Sequence, residues 1–164
     1  MNGWAPSLVG HHILNVDASF SDDDFTGACG AMIRDNRGGS IRVAMARLDH
    51  VLDVVSAEAT TQLEGLQLAQ GTGCNNLLVR MDNLIVVEAL QNNEGYSMVV
   101  APIIQDSREL MREFGKAIIE HCNRESNMVA HELAHYGSAN NPTLWVETLS
   151  VFLLKFLADD VSVI

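Results

Sequence analysis

Three carboxylates stand at positions where an α/β protein binds ligands. Asp17 lies in the middle of an apolar, strand-like segment, LNVDASF. An ionised carboxylate there costs several kcal/mol unless a cation or hydrogen-bond donors meet it. Glu58 falls in the first turn of the helix that follows, and Asp82 falls at the end of a short apolar strand. Together the three side chains can hold divalent cations through oxygen ligands. Taken singly, Glu58 and Asp82 also suit a structural position near a helix start, which the helix dipole favours.

A second pattern with chemical meaning is the pentapeptide HELAH at residues 131–135. On a helix, His131 and His135 share a face and can bind Zn²⁺, while the intervening glutamate activates water. Such a zinc metallohydrolase needs a third ligand, for which Glu147 is the nearest carboxylate downstream. This interpretation is kept as a remote alternative.

The elements that must carry these residues follow from the hydrophobic periodicity. Alternating apolar residues predict an antiparallel meander of three strands, with a hairpin turn at DNRGG. Helical spacing with Ser56 as N-cap, and later Asp82 and Asn83 as caps, predicts helices between two further strands. The predicted strands are 12–20, 26–34, 40–48, 77–81 and 116–121, and the predicted helices are 57–70, 83–90, 99–114 and 127–136. The order βββαβααβα predicts an α/β fold with a mixed five-stranded sheet, three antiparallel strands and then two parallel strands, and helices on both faces.

Length and composition bound the class of protein. A chain of 164 residues with 48% hydrophobic residues suits one folded domain, and its net charge of −11 argues against coating nucleic acid by bulk electrostatics. Its three cysteines form no disulfide framework, and no signal peptide or membrane span is visible, so we expect a soluble protein of the nucleus or cytoplasm. We divide it into an N-terminal extension (1–11), a domain (12–139) and a C-terminal amphipathic extension (140–164). In that extension, a helical stripe carries Trp145, Leu149, Phe152 and Phe156.

Five segments in order resemble the ribonuclease H-like domain: NVDASF, GAMIRDNRG, SAEATTQLEGLQLA, MDNLIVVEAL and RESNMVAHELA. They look most like its plant reverse-transcriptase-like branch, which is related to retrotransposon ribonuclease H. The resemblance implies an endonuclease that hydrolyses the RNA strand of RNA–DNA hybrids by a two-metal-ion mechanism. Its Mg²⁺ ions would be held by Asp17, Glu58 and Asp82, with Asp17 bridging both. His121 matches a histidine that helps to move protons or product.

The chain departs from the family pattern at two points. His131 stands where the family's fourth carboxylate is common, and an imidazole suits Mn²⁺ better than Mg²⁺. It is kept as a metal ligand and catalytic residue. Residues 91–99 hold no lysine or arginine, so the basic helix that grips the hybrid in bacterial-type relatives is missing.

Substrate binding is assigned to Arg80, Arg124 and Asn127, with a surface ion pair as the alternative for each arginine. We expect weak hybrid binding by a monomer whose protein partners, if any, are unknown. A catalytically weak or inactive domain of the same fold, which binds nucleic acid or protein, remains the main alternative to the nuclease.

Overall fold

The computed structural model describes residues 11–34, 40–140 and 144–147. Its strands are β1 (His12–Ser21), β2 (Thr26–Arg34), β3 (Ser40–Leu48), β4 (Asn76–Met81), β5 (Lys116–His121) and β6 (Leu144–Glu147). They form one sheet in the order β5-β4-β1-β2-β3-β6. Antiparallel pairing joins β1, β2, β3 and β6, whereas β1, β4 and β5 pair in parallel. The predicted five-stranded mixed sheet is confirmed, and β6 extends it by one strand.

The helices lie on both sides of this sheet, as predicted. They are α1 (Val54–Gly71), α2 (Leu84–Asn92), α3 (Ala101–Met111) and α4 (Met128–Asn140), with a 3₁₀ helix (Arg124–Asn127) before α4. Because side chains alternate along a strand, β1 contributes to both sides. Leu14 and Val16 join a buried cluster with Ala59 and Leu66 of α1. The alternate residues of β1, Asn15 and Asp17 among them, face the 3₁₀ helix and α4.

Gly30 lets α4 approach the sheet closely. It lies in β2 opposite Asp17. A Cβ atom at this position would stand 2.4 Å from the carbonyl oxygen of Ala130 and 2.5 Å from the amide nitrogen of Ala134. Since real Cβ contacts are never that short, only glycine allows the backbone of α4 to pack here. The side chains at the start of α4 are thereby brought over Asp17.

The N-cap of α1 differs from the predicted one, whereas one of the two predicted caps of α2 is confirmed. The N-cap of α1 is Asp53, whose Oδ1 accepts from the amide of Ser56 at 2.7 Å. Ser56 therefore lies inside the helix, and the prediction that it is the N-cap is wrong. The N-cap of α2 is Asn83, whose Oδ1 accepts from the amide of Val86 at 3.1 Å. Asp82 is thus free of a capping role, which leaves its carboxylate available to the site described below.

The C-terminal prediction is also corrected where the structure describes that region. Trp145 lies in β6, paired opposite Met45 of β3, and not on a helix. Pairing with the edge of β3 satisfies backbone hydrogen bonds that a helix would leave open there. Leu149, Phe152, Phe156, the N-terminal extension up to residue 10 and the hairpin turn at 35–39 lie outside the described residues. Within the described ranges, no helix is long and apolar enough to cross a bilayer.

Candidate metal centre

The three predicted carboxylates come together at one end of the sheet. Asp17 lies on the central strand β1, Glu58 on the second turn of α1, and Asp82 directly after β4. One ligand oxygen from each lies within 4.8 Å of the others. The parallel pairing of β1 with β4 and the close packing of α1 on β1 bring the three segments to the same place. The arrangement suits divalent cations, which prefer several carboxylate oxygens.

Burial makes this cluster electrostatically unfavourable without a cation. Asp17 and Glu58 are 2% and 4% exposed. Burial, and then the charge of Asp17, raise the pKa of Glu58 from 4.5 to about 10. Burial and Asp17 also raise the pKa of Asp82, against the lowering effect of Arg124. Oε2 of Glu58 is buried and has no hydrogen-bond partner among the described residues. An unsatisfied buried oxygen within a carboxylate cluster fits the donor set of a cation site.

His131 contacts the cluster through Asp17. Its Nδ1 lies 2.8 Å from Oδ2 of Asp17, and its side chain is one-third exposed. Because an ionised carboxylate only accepts, this hydrogen bond requires a ring form of His131 that carries hydrogen on Nδ1. The imidazole thus lies where the sequence predicted a fourth ligand, and in this position it donates a hydrogen bond to a carboxylate.

Two further groups border the centre at Asp82. Nε of Arg124 lies 3.6 Å from Oδ2 of Asp82, with the arginine side chain 68% exposed. Nε2 of His121 lies 3.2 Å from the backbone oxygen of Asp82, because Met81 and His121 pair across β4 and β5. An exposed guanidinium and an exposed imidazole therefore lie at the rim of the centre.

A family model described as reverse transcriptase-like matches residues 15–137. The chain belongs to this reverse transcriptase-like family. The matched region contains all three carboxylates together with His121 and His131. None of the curated protein sequences compared with the chain matches it.

Solved structures show that this reverse transcriptase-like domain has the ribonuclease H fold. Ribonuclease H1 from Halobacterium salinarum has a TM-score of 0.75 at 19% identity, over 79% of this chain and 98% of that one. The N-terminal ribonuclease H domain of a Mycobacterium tuberculosis protein has a TM-score of 0.73 at 17% identity, over 79% and 94%. The LC11 ribonuclease H1 from compost, solved with an RNA/DNA hybrid, has a TM-score of 0.69 at 19% identity, over 76% and 94%.

The predicted substrate-binding residues lie in three different settings in this reverse transcriptase-like domain. Arg124 is exposed beside the centre, where its pair with Asp82 at 3.6 Å also matches the ion-pair alternative. Nε of Arg80 instead lies 2.7 Å from Oε1 of Glu120, so the ion-pair alternative describes it. Asn127 is 1% exposed and bonds to Asn15 and to the backbone of β1, so its side chain lies in the interior and not on a substrate surface. The signal for an interior position was its place directly before the apolar residues 128–130 that begin α4.

The zinc alternative finds no support in the part of the chain that the structure describes. The group of three carboxylates is the one set of His, Cys, Asp and Glu there that can hold a metal. His131 is directed at Asp17, while His135, one turn later, is exposed. Sequence reasoning also missed Gly30 as a determinant of the site, although a glycine inside a strand is a signal of close backbone approach.

Proposed function

We propose that this protein is a ribonuclease H-type endonuclease that hydrolyses the RNA strand of RNA–DNA hybrids with divalent cations, Mg²⁺ first. The observation that carries the proposal is the convergence of Asp17, Glu58 and Asp82 within 4.8 Å on a ribonuclease H fold. The LC11 ribonuclease H1, which shares the fold, was solved with an RNA/DNA hybrid. That substrate is therefore the natural first choice.

The roles of the residues follow from their positions. Divalent cations held here would lower the pKa of an attacking water and stabilise the charge on the leaving oxygen, in the two-metal arrangement. Asp17 is the central ligand, because it influences the pKa of both Glu58 and Asp82. His131 keeps one oxygen of Asp17 oriented through its Nδ1–H. His121, exposed at the rim, is placed to exchange protons with solvent.

Charge around the centre favours weak binding of the hybrid. Arg124 is the exposed cation beside Asp82, whereas Asp22, Asp23 and Asp24 form an exposed acidic turn between β1 and β2. Helices α2 and α3 are joined by residues 93–100, which contain no basic residue. Since phosphate contacts supply most non-specific affinity for nucleic acid, binding should be measured at low salt.

The acidic turn and His131 also favour a second candidate, a domain that binds nucleic acid without efficient cleavage. One experiment separates the two. A labelled RNA–DNA hybrid is incubated at low salt with Mg²⁺ or with Mn²⁺, using the wild type, Asp17→Asn and the control Asp23→Asn in the exposed turn. The nuclease predicts metal-dependent cleavage of the RNA strand that only Asp17→Asn abolishes. Binding without cleavage in either metal would contradict the nuclease and support the second candidate.

A further inference from the structure

Three buried polar side chains form a continuous hydrogen-bonded chain next to the metal centre. Nη2 of Arg34 donates to Oδ1 of Asn15 at 2.9 Å, and Nδ2 of Asn15 donates to Oδ1 of Asn127 at 2.9 Å. Nδ2 of Asn127 then donates to the backbone oxygen of Val16 at 2.7 Å. The three side chains are at most 1% exposed. The chain connects β2, β1 and the 3₁₀ helix, and it ends on the residue before Asp17.

The direction of this chain is set by Arg34. A guanidinium can only donate, so Asn15 must present its carbonyl oxygen to Arg34 and its amide hydrogens to Asn127. Asn127 must in turn present its oxygen to Asn15 and its amide hydrogens to Val16. Each buried amide therefore has one orientation that satisfies its neighbours, and a reversed amide would leave a buried donor facing a donor. A single rigid geometry is specified for the start of α4 relative to β1.

The 3₁₀ helix and the first turn of α4, which hold Asn127, also carry the contact to the metal centre. Asn127 and His131 are four residues apart, which is about one helical turn. Asn127 is fixed to Asn15 and Val16, and His131 contacts Asp17 on the same strand. Gly30 allows this turn to approach β2 closely enough for both contacts.

We infer that Asn15, Arg34 and Asn127 are positioning residues, which act through the backbone of the 3₁₀ helix and α4 to hold the His131 imidazole against Asp17. The inference rests on the proposed function, because it gives the Asp17–His131 contact a role in binding the cation. Outer-shell partners of metal ligands commonly alter metal affinity by about 10- to 100-fold when removed. In this protein the partner of Asp17, His131, is itself positioned by the buried guanidinium of Arg34, which acts through Asn15 and Asn127.

The test is a double-mutant cycle read out as Mn²⁺ affinity by calorimetry on the whole chain. We expect Asn127→Ala to weaken Mn²⁺ binding about tenfold when His131 is present. In the His131→Ala background, the same substitution should change the affinity by no more than about twofold. The control is Ile104→Val, a change at a buried position of α3 that belongs neither to the carboxylate cluster nor to the Arg34–Asn15–Asn127 hydrogen bonds. It should leave the Mn²⁺ affinity unchanged in both backgrounds. An equal loss in both backgrounds, or no loss in either, would overturn the inference.

A second measurement needs no metal and separates this inference from the proposed function. The ring ¹H–¹⁵N signals of His131, assigned by their loss in His131→Ala, should shift in Asn127→Ala and stay in place in Ile104→Val. If the wild type binds no Mn²⁺, the proposed function fails, while these signals still decide the positioning role. If Asn127→Ala does not fold, Asn15→Ala breaks the same chain one link earlier and should give the same pattern. Unshifted His131 signals in a folded variant would refute the positioning role.

Discussion

Replacing Glu58 by glutamine should remove a pH dependence of stability from the metal-free protein. Burial and the neighbouring Asp17 raise the pKa of Glu58 from 4.5 to about 10 in the folded state. Between these two pH values, the folded protein binds one proton at Glu58 that the unfolded chain has released. Stability therefore falls as the pH rises through this window. The contribution of Glu58 is fully present below pH 4.5 and is lost progressively toward pH 10.

The size of the effect follows from proton linkage. One proton bound only by the folded state changes the free energy of unfolding by about 1.4 kcal/mol per pH unit. From pH 6 to pH 8, the wild type should therefore lose about 2.7 kcal/mol relative to Glu58→Gln, which has no proton to release there. The figure depends on the slope and not on the exact pKa, provided that the pKa lies well above 8.

Urea unfolding in EDTA, followed by circular dichroism at pH 6, 7 and 8, measures this difference directly. Glu64→Gln is the matched control, because Glu64 is an exposed glutamate of the same helix. It should follow the wild type at each pH. Added Mg²⁺ should stabilise the wild type more at pH 8 than at pH 6, since a ligand must be deprotonated to bind, and should not do so in Glu58→Gln. Parallel pH profiles for the wild type and Glu58→Gln would refute the assignment of a buried, high-pKa carboxylate to Glu58.

Three further predictions concern the metal centre and the helices around it. Gly30→Ala should destabilise the protein by about 1–3 kcal/mol in urea unfolding, because its Cβ meets the carbonyl oxygen of Ala130 at 2.4 Å; an unchanged midpoint would contradict the close packing of α4. Asp53→Ala should lower the free energy of unfolding by about 1 kcal/mol through loss of the α1 cap, whereas Ser56→Ala keeps that cap and should cost less. Thermal unfolding compares the two variants, and a larger loss in Ser56→Ala would contradict the assignment of Asp53 as the N-cap. His131→Asp should raise hybrid cleavage in Mg²⁺ relative to Mn²⁺, since carboxylates suit Mg²⁺ better than imidazole does; an unaltered metal preference would show that His131 does not set it.

Much of the fold could be predicted from the sequence, because its elements are defined by local periodicity. The alternation along β1 and the predicted bounds of β2 and β3 agree with the structure. Helix caps were harder to predict, since an N-cap is defined by its backbone geometry as much as by residue type. Asp53 has the extended conformation of a cap, while Ser56, an equally suitable residue type, is already helical. For Trp145, an apolar pattern fitted a helix or a strand, and the free edge of β3 decided the outcome.

The candidate site, like the fold, could be predicted only where local sequence determines it. The three carboxylates could be found because each breaks a local rule or marks an element end, and the order of elements brings those ends together. The contacts that orient them could not be found, because they join residues far apart in the chain. Asn15 and Asn127 are 112 positions apart, and Asp17 and His131 are 114 apart.

From the sequence, His131 is therefore visible as a possible metal ligand, in HELAH or in place of a fourth carboxylate, but not as a hydrogen-bond partner of Asp17. In the structure it is a hydrogen-bond donor to the central ligand, on a turn fixed by a buried chain that starts at Arg34. A cation at Asp17 would bind a carboxylate that the Nδ1–H of His131 holds in place, whereas a fourth carboxylate would add another oxygen ligand. His131 thus contributes orientation of Asp17 in place of a ligand oxygen, and metal affinity should respond to the geometry of α4 as much as to the number of acidic residues.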